Sequence, residues 1–241
     1  MKTKIFNLII LDESGSMDCM RQQTINGCNE TIDTIIDAQK HYVETQEHVV
    51  SIYAFHSSFS LPSHYLVEGV PASELKHITS ADYEPSGCTP LYDAIGKTLS
   101  ALQQEMEKEE SAIGSVTIIT DGEENDSTDY NGKQIANLIL ALKEKGWNFN
   151  FIGANIDVKQ VADRLNIDNY LAFKQTKQDV DRMFRTERHS RMSYFARVSA
   201  SCSDDILDDE ERNARFCEAS RNYFQEPDED DSSMDESDKD Q

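Results

Sequence analysis

The feature that most constrains the fold is a series of short apolar runs, each followed by a longer segment with helical periodicity. The first run, residues 5–11, is almost continuously apolar, which is typical of a strand covered on both faces. Similar alternation continues to about residue 198. Strands that alternate with helices imply right-handed crossovers between parallel strands. The chain is therefore predicted to be α/β, with a doubly wound, mostly parallel sheet flanked by helices on both faces.

The same patterns predict where each element lies. After the first strand, further strands are expected at residues 49–55, 64–67 (a short edge strand), 116–120, 149–153 and 170–173. Helices are expected at residues 24–45, 90–106, 132–145, 158–165 and 177–195, the last of them mainly polar.

The C-terminal part of the chain differs in composition from the predicted domain at 1–198. Residues 199–225 are expected to be an extension with one weakly patterned acidic helix. From residue 226 to residue 241 there are nine Asp or Glu, one Lys and no large apolar residue except Met234. Such a segment buries too little apolar surface to offset its ordering entropy, so we expect an acidic, disordered tail.

Charge argues against two classes of partner. The chain carries a formal net charge of −22, of which residues 203–241 contribute −12 and the remainder −10. Both parts would repel a phosphate backbone or an anionic membrane surface. We therefore expect neither nucleic-acid binding nor membrane binding.

The compartment is inferred from the cysteines and the N-terminus. Five cysteines form no CxxC pair and leave an odd count, as expected of reduced thiols. The first apolar run is too short for a signal peptide and ends in Asp12 without a small-residue cleavage site. No run approaches the roughly 20 apolar residues that span a membrane. A soluble, cytoplasmic protein is expected.

Three polar clusters follow predicted strands or precede a predicted helix. They contain Asp12, Ser14 and Ser16 after the first strand, Thr89 before the helix at 90–106, and Asp121 after the strand at 116–120. Ligands of open parallel sheets bind at such strand ends. Two carboxylates and three hydroxyls suit Mg²⁺, and Mn²⁺ or Ca²⁺ could substitute. Taken alone, the first cluster has another interpretation, because Asp and Ser are common in turns and helix caps that bind no metal.

At these residues the sequence resembles the von Willebrand factor A family and its metal-ion-dependent adhesion site. Residues 12–17, Asp-Glu-Ser-Gly-Ser-Met, match the family's DxSGSM signature. Residues 86–91 resemble its GGTPL-type loop, with Cys88 where glycine is usual, and residues 120–122 resemble its TDG. The resemblance covers roughly residues 4–175.

The resemblance implies a metal-dependent protein–protein interaction module rather than an enzyme. Ser14 and Ser16 would ligate the metal directly, whereas Thr89, Asp12 and Asp121 would do so directly or through water. One octahedral position would stay open for the Asp or Glu of a protein partner. Family members without a signal peptide, bacterial ones especially, often work in multiprotein stress-response or ATPase-associated assemblies.

Two alternatives remain open at this stage. The first is a Mg²⁺-dependent phosphoryl-transfer or hydrolytic enzyme, although Ser14 stands where a phosphoaspartyl mechanism would use a second carboxylate. The sequence contains no GxGxxG, P-loop or GxSxG motif, which argues against dinucleotide-binding enzymes, P-loop enzymes and hydrolases with a serine nucleophile elbow. The six histidines are scattered, with His56 nearest the predicted site. The second alternative is a scaffold with a structural metal.

The acidic tail also has two interpretations. It can serve solubility and charge repulsion. Alternatively, a tail carboxylate such as Asp230 or Asp231 occupies the metal in cis or in a neighbouring chain, because a tether holds it at high effective concentration.

Overall fold

The structure, a computed structural model, describes residues 2–58, 62–202 and 209–224. In this part of the chain the strands are β1 Thr3–Asp12, β2 Gln46–Ser57, β3 Pro62–Pro71, β4 Ala112–Thr120, β5 Asn148–Ala154 and β6 Asn169–Phe173. The α-helices are α1 Arg21–His41, α2 Leu91–Met106, α3 Gly132–Glu144, α4 Val158–Arg164, α5 Lys177–Ser201 and α6 Asp209–Ser220. Short 3-10 helices lie at Gly15–Met20 and Ala72–Glu74.

The strands form one sheet in the order β3-β2-β1-β4-β5-β6. Neighbouring strands are parallel except for β3, which runs antiparallel to β2 at the edge. The chain winds outward from β1 to β3 and then returns to β4 on the other side of β1. The strand order therefore reverses between β1 and β4, where sheets of this kind bind ligands beyond the carboxyl ends of the strands.

Residues 5–11 of β1 are apolar except for Asn7 because helices cover both faces of the sheet. Its buried side chains alternate between a core shared with α1, α5 and α6 and a core shared with α2, α3 and α4. The first set is Ile5, Ile9 and Leu11, and the second is Phe6, Leu8 and Ile10. The predicted fold class is thus confirmed: a doubly wound, mostly parallel sheet with helices on both faces.

Element boundaries differ from prediction mainly where the apolar pattern is weak. Strand β3 is longer than the predicted 64–67, because its side chains are only partly buried and irregular pairing with β2 obscures the alternation. Helix α1 begins three residues earlier than predicted. Helix α5 continues past residue 195 because Val198 is also buried.

Residues 209–224 pack against the same sheet as the rest of the chain. Phe216 and Ala219 of α6, followed by Tyr223, are buried in the core that also contains α1 and α5. The predicted disorder of residues 226–241 lies outside the described residues. Within the described ranges, no helix combines the length and apolarity needed to cross a membrane.

A buried ion pair within α5 includes an arginine that also bonds to the sheet. Arg191 donates to Glu187 Oε1 from Nε at 2.8 Å, and its Nη2 lies 2.5 Å from the same oxygen. The guanidinium also donates to Asn7 Oδ1 of β1 at 3.2 Å and to Thr117 Oγ1 of β4 at 2.9 Å. Tyr223 donates its hydroxyl to Glu187 at 3.2 Å, which connects the C-terminal segment to the same network.

Candidate metal centre

The carboxylate of Asp12 lies at the point where the strand order reverses. Asp12 ends β1 and is fully buried. Its Oδ1 accepts a hydrogen bond from the Ser14 backbone N–H at 2.7 Å, and its Oδ2 accepts one from the hydroxyl of Thr120 at 2.6 Å. Because Thr120 ends β4, this pair joins the carboxyl ends of the two central strands.

Two serines connect this turn to Asp121. The hydroxyl oxygens of Ser14 and Ser16 lie 3.1 Å apart, which shows that the alternate positions of the motif converge. The hydroxyl of Ser16 donates to Asp121 Oδ1 at 2.7 Å. The other oxygen of Asp121 accepts a hydrogen bond from the side-chain amide of Gln175, just after β6. The first and third polar clusters of the sequence therefore meet.

Thr89 approaches the same place from the second loop. Its side chain is buried, and its backbone N–H donates to Asn125 Oδ1 at 2.8 Å. A Cβ placed on Gly122 would lie only 3.3 Å from Thr89 Oγ1, so the hydroxyl lies against the residue that follows Asp121. The structure thus gathers all five predicted residues at one edge of the sheet; that they ligate a metal remains a prediction.

The loop that carries Thr89 is held by its backbone. Gly87 accepts a hydrogen bond from the Gly15 N–H at 3.2 Å, and Cys88 exchanges two backbone hydrogen bonds with Ser57, at 3.1 and 3.3 Å. Gly87 has a φ of +73°, and an added Cβ would lie 2.1 Å from the carbonyl oxygen of Ser57. Cys88, by contrast, points its side chain into an exposed position, so a residue other than glycine is accommodated there.

Replacing Gly87 with alanine is expected to destabilise the protein by about 2 kcal/mol or more, because backbone strain adds to a clash with fixed main chain. Gly69→Ala is a matched control: Gly69 also has a positive φ, +60°, but no atom lies within 4 Å of an added Cβ. Urea denaturation of both variants measures the difference. Equal losses of stability in the two variants would contradict the close approach of Gly87 to Ser57.

The electrostatics of the site favour a cation. Burial raises the pKa of Asp12 to about 6, and the nearby charge of Asp121 adds to that rise. Burial also raises the pKa of Asp121. Among the ion pairs of the described residues, none joins a lysine or arginine to either carboxylate. Buried carboxylates are costly without a compensating charge, so this donor set fits a hard divalent ion.

Several residues of the site were not singled out from the sequence. Thr120 and Gln175 contact the two carboxylates. Thr120 belongs to the TDG motif but was not expected to be a site residue, and no motif points to Gln175. Glu13, between two predicted ligands, turns its side chain away from them toward His56 and His64. His56 lies within β2 rather than after it, and burial lowers the pKa of its imidazole.

Comparison with known families places most of the chain in one of them. The model of the von Willebrand factor type A domain matches residues 8–189. A comparison with curated proteins gives no significant match.

Solved structures share the fold at low sequence identity. The pilus adhesin SpaC from Lactobacillus rhamnosus GG, in an open conformation, has a TM-score of 0.61 and 11% identity over 81% of this chain and 30% of the adhesin. Proximal thread matrix protein 1 from the mussel byssus, with a zinc-occupied MIDAS motif, has a TM-score of 0.53 and 13% identity over 79% of this chain and 46% of the mussel protein. The VWA domain of SpRpn10 has a TM-score of 0.51 and 11% identity over 76% of this chain and 94% of that domain. The chain thus spans less than half the length of the first two proteins.

Proposed function

The chain belongs to the von Willebrand factor type A domain family, and on that basis we propose that it is a divalent-metal-dependent protein-binding module rather than an enzyme. One observation carries the proposal. Two buried carboxylates, Asp12 and Asp121, lie together with hydroxyl groups at the reversal point of the sheet, without a paired lysine or arginine among the described residues. A bound dication is the simplest compensation for their charge.

The proposed ligands are those expected from the motif. Asp12, Ser14, Ser16, Thr89 and Asp121 would hold Mg²⁺, with Mn²⁺ or Ca²⁺ as possible substitutes, because all five offer hard oxygen atoms. When bound, the metal supplies a local positive charge that can accept a carboxylate. The zinc in the mussel protein's MIDAS motif supports a divalent ion at the equivalent edge of this fold.

The proposed partner is a protein that presents an Asp or Glu side chain. With a net charge of −22, this chain would repel an acidic surface everywhere except at a bound cation. Binding should therefore require metal. We propose further that such a module works in a cytoplasmic multiprotein assembly, of the kind that serves stress responses; the family resemblance supports this part of the proposal.

The first test is a thermal-shift titration with Mg²⁺ or Mn²⁺, with EDTA as reference. A ligand that binds only the folded state at about 100 times its Kd stabilises it by about 2.7 kcal/mol, or about 5–10 °C for a chain of this size. Asp121→Ala should abolish the rise, whereas Glu123→Ala, which removes an exposed acid two residues away, should keep it. A rise that survives in Asp121→Ala would contradict the proposed site.

A second measurement tests whether the metal can accept a partner's carboxylate. An exchanging water on bound Mn²⁺ enhances water-proton relaxation, and an acidic peptide added in excess should displace it and reduce the enhancement. A structural metal with no open position would give no enhancement. If the chain without residues 226–241 gains enhancement that the full chain lacks, a tail carboxylate fills the position in cis.

A further inference from the structure

Beside the first site, three side chains from different elements converge. Glu13 Oε2, in the turn after β1, lies 3.6 Å from His56 Nε2 of β2 and 3.8 Å from His64 Nδ1 of β3. All three atoms lie within 4.8 Å of one another. Among the described residues, no other group of three His, Cys, Asp or Glu side chains has this spacing.

Two of the three atoms lack a hydrogen-bond partner although they are buried. The side chains of Glu13 and His56 are each 1% exposed, and neither Glu13 Oε2 nor His56 Nε2 forms a hydrogen bond. More than about nine in ten buried polar groups in proteins have a partner, because an unmade bond costs about 1–3 kcal/mol. Nine other buried polar atoms of the described residues also lack a partner, but these two lie 3.6 Å apart with His64 Nδ1 beside them, where a single bound ion would contact all three.

The opposite ends of both side chains are held in place. Glu13 Oε1 accepts a hydrogen bond from the Glu84 N–H at 2.5 Å, and His56 Nδ1 lies 3.4 Å from the hydroxyl of Ser86. The backbone N–H of Glu13 donates to the carbonyl of Phe55 at 2.8 Å. Contacts of this kind orient metal ligands in proteins, and here they leave the other carboxylate oxygen and the other ring nitrogen directed at the cluster.

We propose that Glu13, His56 and His64 form a second metal site, selective for a borderline transition-metal ion such as Zn²⁺. Two imidazole nitrogens and one carboxylate oxygen are a typical three-ligand set for zinc with a free fourth position. Zinc–ligand bonds of about 2.0–2.1 Å place tetrahedral ligands about 3.3–3.4 Å apart, so the two distances from Glu13 Oε2 need a contraction of a few tenths of an ångström. His64 Nδ1, which lies 3.3 Å from the Pro62 carbonyl oxygen, would exchange that contact for the metal. The His64 side chain is 41% exposed, so an ion can reach the cluster from solvent along this side chain.

The two sites differ in ligand chemistry and can be filled independently. The first offers only oxygen atoms, which hard ions prefer, whereas the second offers nitrogen. Glu13 lies between Asp12 and Ser14 in sequence, so zinc at the second site would tie the first metal-binding turn to β2 and β3. The inference goes beyond the proposed function and does not depend on it.

The test is a Zn²⁺ titration of the full chain by calorimetry, with Mg²⁺ in large excess to occupy the first site. The wild-type chain should bind one equivalent of Zn²⁺, and its Co²⁺ form should show the intense visible absorption of four-coordinate cobalt. His64→Ala and Glu13→Gln should weaken Zn²⁺ binding at least about tenfold, because even the loss of a residue that only contacts a metal ligand weakens metal binding by about that factor. Both variants should also lose the cobalt bands.

Two control variants separate this site from other causes. His77→Ala removes an exposed histidine paired with Asp33, and Asp121→Ala disrupts only the first site; both should retain the Zn²⁺ equivalent and the cobalt bands. Circular dichroism of His64→Ala checks that it is folded. The proposal is overturned if wild type binds no Zn²⁺ in the presence of Mg²⁺, if His64→Ala binds it as tightly as wild type, or if Asp121→Ala alone abolishes it. In the first case the three side chains form only a polar cluster that binds no metal.

Discussion

Replacing Asp12 with asparagine is expected to have two effects of opposite sign: the metal-free protein becomes more stable at pH 7, and metal no longer raises its melting temperature. The pKa of Asp12 is about 6 in the folded protein, above the ordinary value of 3.8, because the carboxylate is buried. The folded state therefore binds the proton more tightly than the unfolded state. The stability that the protonated carboxyl of Asp12 contributes to the folded protein is fully present below about pH 4. It is lost as the pH rises through about 6.

The size of the first effect follows from that pKa difference. A difference of about two units corresponds to about 3 kcal/mol, so Asp12→Asn should stabilise the metal-free protein by up to about 3 kcal/mol at pH 7. The asparagine oxygen can still accept the Ser14 N–H bond. Thr120 can still donate its hydroxyl to the carbonyl of Gly122, 3.0 Å away.

Urea denaturation in EDTA at pH 4, 5.5 and 7 measures this effect. The advantage of Asp12→Asn should be largest at pH 7 and should nearly vanish at pH 4, where both side chains are neutral. Asp126→Asn, at an exposed position, should show no such dependence. In Mg²⁺ the order should reverse, because only wild type gains stability from the metal. If Asp12→Asn is less stable than wild type in EDTA at pH 7, then burial of the ionised Asp12 carboxylate does not destabilise the metal-free protein, contrary to our inference.

Replacing Arg191 with alanine should destabilise the fold by about 3–5 kcal/mol, the usual result of removing one member of a buried ion pair. Glu187 would remain as a buried charge without its partner, and the bonds that hold α5 to Asn7 and Thr117 would be lost. The effect is large because Arg191 is fully buried and joins α5 to both central strands.

Arg188→Ala is the matched control, since it removes an exposed arginine from the same helix and should cost no more than about 0.5 kcal/mol. The free energy of unfolding in urea measures both variants. Replacing Arg191 by Met and Glu187 by Leu together should cost less than the sum of the single changes, because no charge remains unpaired. A cost below about 1 kcal/mol for Arg191→Ala would mean that the bonds of Arg191 to Glu187, Asn7 and Thr117 do not hold the helix to the sheet.

Two features of the local sequence predicted most of the fold and the first site. Nearly continuous apolar runs marked strands covered on both faces, and 3.6-residue periodicity marked the helices between them. The candidate site was identifiable because each of its residues follows a predicted strand or precedes a predicted helix. Asp12 and Asp121 both follow buried parallel strands, and neighbouring strands of that kind end at the same edge of a sheet.

Residues without a local pattern were assigned only by the tertiary structure. Arg191 lies on a helix interpreted from its sequence as polar, and its burial depends on Glu187 one turn away and on strands far away in the chain. Glu13, His56 and His64 meet because β1, β2 and β3 are adjacent in the sheet, with irregular pairing between β2 and β3. Periodicity reports which face of an element is buried, because apolar burial depends on local spacing. It does not report which distant polar groups meet, since that is set by strand order and register.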